Sequence, residues 1–205
     1  MKIETKGKRK SRIDSEARVL DAAIVLFSKL GFETTTLKAI SEQAKVNEAL
    51  IIRYFGSKDE LLTTVIVGHL RTEISSYEDT ARATSVAGEI ENYLRTWLHS
   101  ELRNRDFLRV ATARAAVDPK IRREVQKHVP LQGHPELNAR LKELQKAGQF
   151  PKSVSTELLT HTIGLQGLGT SFLVNLLPAV DIKATEISIA IFASLIADGL
   201  NSCPD

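Results

Sequence analysis

Thr35 to Lys58 reads TTLKAISEQAKVNEALIIRYFGSK, and this stretch decides the fold. Thr36 is a natural N-cap, because its side-chain oxygen can accept one of the orphan amides of a first helical turn. Leu37, Ile40, Ser41 and Ala44 follow at helical spacing and form one packed stripe. Lys45-Val46-Asn47 interrupts that stripe, with Val46 as the apolar plug of a tight turn and Asn47 as the cap of a second short helix, Glu48 to Phe55. Ile51 and Phe55 lie four apart and face inward with Val46. Ala49, Leu50, Ile52, Arg53 and Tyr54 are left to point outward. An outward face mixing apolar, aromatic and cationic residues suits the major groove, which accepts a helix and offers thymine methyls, base edges and phosphates. The pattern predicts a helix-turn-helix.

Outward from this stretch the signals stay helical. Asp14 or Ser15 can cap a helix to about Leu30, whose inward face is Val19, Leu20, Ala23, Leu26, Phe27 and Leu30. Gly31 stands where helices favour a left-handed residue, and Phe32 folds back onto that core. Gly56 closes the second short helix. Ser57 with Glu60 makes a capping box for a further helix, predicted to run from Lys58 to about Tyr77 and to connect two domains. Ahead of Asp14 lie Lys2, Lys6, Lys8, Arg9, Lys10 and Arg12 against the single acid Glu4. Such a run reads as a solvated tail or as an arm reaching a minor groove or phosphates.

These residues, taken together, resemble the N-terminal signature of the TetR family of bacterial repressors. The resemblance rests on Leu20-Asp21-Ala22-Ala23, Leu26-Phe27, Gly31-Phe32, Thr35-Thr36-Leu37, Ile40-Ser41, Ala44 to Asn47, Tyr54-Phe55 and Ser57 to Leu61, without a gap from about Arg18 to Leu62. Three positions depart from the family pattern. Lys45 stands where Gly is usual, Asn47 where Ser or Thr is usual, and Ile52 where Tyr is frequent. The resemblance implies that Thr35, Thr36, Lys45, Arg53, Tyr54 and Lys58 hold phosphates. Glu48, Ala49, Leu50 and Ile52, beside the cap Asn47, then face bases. Apolar side chains there can read thymine methyls, and Glu48 can accept from a cytosine amino group.

The chain has 205 residues, 42% hydrophobic and 26% charged, enough to bury roughly 70% of its unfolded surface. Its net charge of +3 does not by itself announce a nucleic-acid binder. The basic run lacks an apolar h-region, so no secretory signal is expected, and a cytoplasmic protein is. The single cysteine, Cys203, excludes an internal disulfide and fits a reducing compartment. The most apolar run, Ile163 to Val180, contains Gln166, Asn175 and Pro178 and is short of the ~20 residues of a membrane span.

Beyond Glu78 there is no strand alternation and no repeat. Helices are expected at about Val86 to Leu102, Asp106 to Val117, from Asp118-Pro119 to near Pro130, and from Pro135 towards Gly148. Two long apolar helices follow, Ser155 to Leu177 and Asp181 to Leu200. In the last, Ile187, Ile189, Ile191, Phe192, Leu195 and Ile196 cover more than one face, so a second copy of the helix pair is the simplest cover. Gly164, Gly167 and Gly169 each cost about 1 kcal/mol in a helix interior relative to Ala, which points to close approach by a helix or ligand or to no more than loose propensity. Tyr93, Trp97, Phe107, His161, Gln166 and Phe172 could line a small-molecule pocket, with Asn175 nearby.

No nucleophile elbow, zinc, redox or phosphate-loop motif is present. His69, His99, His128, His134 and His161 show no metal-binding spacing, and no cofactor is expected. The reading is therefore an all-α protein with a basic flexible arm over 1–13 and a three-helix DNA-binding domain over 14–57. A helical ligand-binding and dimerisation domain follows over 58–205, with 58–77 as the connecting helix. It is expected to act as a homodimeric repressor, paired through 155–177 and 181–200 and released from a palindromic operator by a small molecule. A small helical enzyme or ligand carrier is the alternative, and it lacks recognisable catalytic groups. A sequence-indifferent nucleoid binder would need a larger basic face and no pocketed domain.

Overall fold

Side-chain caps open the helices at the places their sequence marks. In the computed structural model, which describes residues 3–127, 133–177 and 180–202, every described element is helical. They are α1 (Ile3–Leu30), α2 (Leu37–Ala44), α3 (Glu48–Phe55), α4 (Lys58–Glu78), α5 (Val86–Arg103), α6 (Arg105–Val117), α7 (Pro119–Gln126), α8 (Pro135–Lys146), α9 (Thr156–Leu176) and α10 (Ile182–Asn201). Thr36, Asn47, Ser85, Ser155 and Asp181 each accept a first-turn amide at the start of α2, α3, α5, α9 and α10. Asp118 does the same ahead of α7, accepting from the amides of Lys120 and Ile121. Cys203, His128, Pro130, Pro178 and Lys2, singled out in the sequence, lie outside the described residues.

The first helix is longer than its capping signals suggest. It runs unbroken from Ile3 rather than opening at Asp14 or Ser15, so the basic stretch expected as a flexible arm is helical backbone. Lys, Arg and Glu are good helix formers, and that stretch holds a single Gly and no Pro to stop propagation back from the packed turns.

The chain folds into two compact units, one of Met1–Leu70 with Asp106–His128, the other of Arg71–Arg105 with Val129–Asp205. The first unit is therefore larger than a 14–57 domain. Val19, Ala23, Phe27, Ile40, Ile51, Leu61 and Leu62 form its centre, and α6 and α7 add Phe107, Leu108, Ala111 and Ile121. Phe107 thus belongs to this core, edge-on to His69, and not to a pocket of the second unit. Each of the larger of these side chains contributes roughly 1.5–3 kcal/mol by leaving water, and the alanines less.

In the second unit α5 packs against α8, α9 and α10, with Ile90, Leu94, Leu98, Leu137, Leu141, Ile163 and Ile189 inside. A buried charge cluster sits among them. Arg140 Nη1 donates to Glu89 Oε1 at 3.0 Å, and the Tyr77 hydroxyl donates to the same oxygen at 2.6 Å. Arg140 Nη2 also donates to the carbonyls of Tyr77, Glu78 and Thr80, which closes the C-terminal end of α4. Burial and the neighbouring Glu89 both push the Tyr77 hydroxyl well above the usual tyrosine range.

Candidate nucleic-acid interface

Thr36 Oγ1 accepts from the Ala39 amide at 3.1 Å and fixes the start of α2 at the surface. At the other end of α2, Lys45 adopts φ 53° and ψ 49°, the left-handed conformation in which glycine is common. Val46 N then donates to the Ser41 carbonyl at 3.0 Å, so the turn closes as a helix-terminating motif despite the Cβ of Lys45. Asn47 Oδ1 accepts from Ala49 N at 2.8 Å and starts α3 at once. Between two caps only two residues apart, the direction of α3 is set by backbone geometry.

Within α3 only Ile51 is buried, at 1% exposure. Ile52 is 51% exposed, Ala49 and Arg53 are exposed, and Glu48, Leu50 and Tyr54 are half-buried. The outward face read from the sequence is thus presented to solvent, flanked by exposed Thr36 and Lys45. Arg53 stacks over the Tyr54 ring at 5.0 Å and donates to its hydroxyl at 3.1 Å. Arg12, from α1, stacks over the same ring at 5.1 Å while pairing with Glu16 at 2.7 Å. Two guanidinium groups therefore lie at one edge of α3, which suits a phosphate backbone. Arg12 was not legible as part of this site, because nothing in local spacing brings α1 to α3.

Two residues expected on phosphates have other partners. Thr35 is fully buried, and its hydroxyl donates to the carbonyls of Gly31 at 2.7 Å and Leu26 at 3.2 Å, capping the end of α1. Lys58 donates to the carbonyls of Phe32 at 2.8 Å, Thr35 at 2.9 Å and Glu33 at 3.3 Å, and lies over the Phe32 ring. An ammonium has three donors, and all three are occupied within the protein. Lys58 is a clamp on the α1–α2 loop.

The residues expected around a ligand are only partly brought together. Tyr93 is buried, edge-on to Tyr77 at 5.0 Å and to Trp97 at 5.7 Å. Trp97 lines a small cavity with Glu101, Gly167, Thr170 and Ser171, against the apolar Leu94, Leu98 and Ile189. His161 and Gln166 are half-buried on α9 and do not line it, while Phe172 is 58% exposed. Gly167 is accounted for, because a Cβ there would stand 2.5 Å from the Trp97 ring. Gly164 and Gly169 face open space. Glu101, Thr170 and Ser171 went unseen, although Trp97 and Glu101 share the i, i+4 spacing that places side chains on one helix face.

Among the described residues no group of three His, Cys, Asp or Glu is placed to hold a metal, and no helix is long and apolar enough to cross a membrane. Residues 19–65 match the family described as bacterial regulatory proteins, tetR family. The chain is 42% identical over 55 residues to the transcriptional regulator HbdR of Aromatoleum sp. (strain CIB), covering 27% of this chain and 24% of that one. It is 38% identical over 64 residues to the transcriptional repressor Rv3405c of Mycobacterium tuberculosis, covering 31% of this chain and 34% of that one. The chain thus spans about a quarter to a third of the length of these relatives. Salmonella enterica GusR shares the fold, with a TM-score of 0.70 at 17% identity over 92% of this chain and 96% of that one. Over residues 19–65, which hold the helix-turn-helix and its caps, the chain is thus similar to the bacterial regulatory proteins of the tetR family, and over most of its length it shares the fold of such regulators.

Proposed function

We propose that this protein is a homodimeric transcriptional repressor that binds a palindromic operator through α3 and releases it when a small molecule binds the second unit. The observation that carries the reading is α3 itself. It is a short helix held at both ends by caps, with one buried residue and an outward face of Leu50, Ile52, Arg53 and Tyr54. Leu50 and Ile52 suit thymine methyls, Glu48 a cytosine amino group, and Thr36, Lys45, Arg53 and Tyr54 the flanking phosphates.

The exposed apolar faces of the second unit support a pairing of two copies. On α9, Leu165, Leu168, Phe172 and Leu173 are exposed at helical spacing, and on α10 so are Ile187, Ile191 and Leu195. Paired about a two-fold axis, these faces would cover one another, and a palindromic operator would offer the two α3 helices half-sites about 34 Å apart. The reading places the protein in the cytoplasm with its DNA. Footprinting on the promoter of its own gene tests it, with a protected palindrome as the expected result. Binding that is indifferent to sequence at physiological salt would refute it.

A further inference from the structure

The positive charge of the chain is unevenly placed. Residues 119–127 hold four cations, Lys120, Arg122, Arg123 and Lys127, against the one acid Glu124, a formal +3 equal to that of all 205 residues. In α7, Ile121 is buried in the core of the first unit. Lys120, Arg123 and Lys127, the last just past the helix, are exposed at i, i+3, i+7 spacing and so share one side of it. Arg122 lies on another side, donating to the carbonyls of Ala115 and Ala116 at the end of α6.

This basic side starts beside the end of α3, within the first unit. Lys120 Nζ is 3.3 Å from Glu60 Oε1. The other oxygen of that carboxylate accepts from Ser57 N at 3.0 Å and lies over Gly56, the C-cap of α3, where a Cβ would collide with it. Asp118 caps α7 and pairs with Arg114 at 3.2 Å, and Arg114 reaches Asp59 at 3.2 Å, Glu33 at 3.4 Å and the ring of Phe32. The segments that set α2 and α3 therefore also fix the start of α7. Glu33, Asp59, Glu60 and Asp118 are each paired with Arg114 or Lys120. Among the described residues, no carboxylate from outside α7 pairs with Arg123 or Lys127.

We propose that this side of α7 holds phosphates of the DNA just beyond the end of α3, so that each copy grips a longer stretch of backbone than its helix-turn-helix alone; this rests on the DNA-binding reading above. Arg123 Nε donates to the Pro119 carbonyl at 3.2 Å, which uses one of five guanidinium donors. The pairs of Lys120 with Glu60 and Lys127 with Glu124 are exposed, and such pairs hold weakly, so a phosphate competes for both ammonium groups. Lys120, Arg123, Glu124 and Lys127 offer no aromatic or apolar anchor around which a protein partner would close. A phosphate backbone needs none, and its contacts position the protein without reading bases.

The test uses the full chain and two duplexes from the promoter of its own gene, one ending at the protected palindrome and one extended by about one helical turn on each side. The native protein is expected to bind the extended duplex roughly tenfold more tightly at low salt, with a steeper salt dependence. Arg123→Gln and Lys127→Gln should each flatten the salt slope on the extended duplex by about one, and together remove its advantage, with sequence preference unchanged. Arg122→Gln takes the same charge from another side of α7 and should leave both slopes alone; if it fails to fold, Lys183→Gln in the second unit serves as the control. Equal affinity of the native protein for the two duplexes overturns the proposal. So does a slope that falls as much in the control as in Arg123→Gln, which would mean general charge and no site. Sequence-specific binding untouched by the Arg123 and Lys127 substitutions keeps the regulator and removes α7 from its DNA surface. Sequence-indifferent binding that still weakens with them keeps α7 on phosphates and refutes the operator reading. A native protein that binds neither duplex refutes both.

Discussion

Lys58 Nζ donates to the backbone carbonyl of Thr35 at 2.9 Å, tying the first turn of α4 to the loop that launches α2. The same ammonium holds the carbonyls of Phe32 and Glu33, so one cation organises the segment on which α2 and α3 are set. Lys58→Ala is therefore expected to lower the stability of the protein by about 1–3 kcal/mol, since it leaves carbonyls of a half-buried loop without a donor. Thermal or urea unfolding reads the loss directly. Unchanged stability with a salt slope for DNA binding reduced by about one would show that Lys58 serves a phosphate instead.

Lys45 is the one non-glycine residue with positive φ among the described residues. A Cβ in the left-handed region costs about 1–2 kcal/mol, offset in Lys45→Gly by the greater freedom of glycine in the unfolded chain. The substitution should raise stability by roughly 0.5–1 kcal/mol. It should also weaken DNA binding, because an exposed cation beside the turn is lost. Equilibrium unfolding and a salt titration of binding give the two numbers. A destabilised Lys45→Gly variant would mean that the lysine side chain, and not its backbone, holds the turn.

Arg140 and Glu89 are 3% and 1% exposed as side chains. Removing one partner of such a pair strands the other charge, so Arg140→Met should cost about 3–5 kcal/mol. Tyr77 adds a pH dependence. Its pKa is raised above the ordinary value of 10.0, so its contribution is complete below pH 10.0 and is lost as pH rises beyond it. Of the three tyrosines, one should resist ionisation in an absorbance titration until the fold opens. A protein whose three tyrosines all titrate together near their ordinary range while still folded would contradict the cluster.

Much of the fold was legible because its signals are local. Thr36, Asn47, Ser155 and Asp181 cap helices from within three residues, and Gly31 and Gly56 take the positive φ that their positions announce. The misplaced residues depend on distant contacts. Thr35 and Thr36 look alike in sequence, yet one turns inward to the carbonyls of α1 and the other outward, a choice made by packing. Lys58 is 23 residues from Thr35, and Arg140 is 51 from Glu89, separations at which no helical period gives guidance. Chain order puts Phe107 with the ligand-pocket residues, but the segment that carries it returns to the first unit.

Base reading and phosphate binding should separate on α3. Ile52→Ala should reduce preference at particular A·T positions by on the order of 1 kcal/mol and leave the salt slope alone. Arg53→Ala and Arg12→Ala should weaken binding to all sequences and flatten the salt slope by about one each. Selection from a randomised operator pool, repeated at several salt concentrations, measures both. Altered sequence preference in Arg12→Ala with an unchanged slope would place that guanidinium on bases.

The proposed pairing through α9 and α10 offers the sharpest separation of structure from assembly. Ile191 and Leu195 are 54% and 66% exposed on α10, one turn apart. They contribute little to the core of a single copy, so Leu195→Asp should leave helicity and unfolding nearly unchanged. In a paired α9–α10 interface the same carboxylate would be buried without a partner, at a cost of several kcal/mol. Sedimentation should therefore show the native protein as a dimer and the variant as a monomer. Operator binding should fall with it, because one α3 helix alone meets a single half-site. A native protein that sediments as a monomer at micromolar concentration rules the interface out. A Leu195→Asp variant that remains dimeric places the interface on other residues.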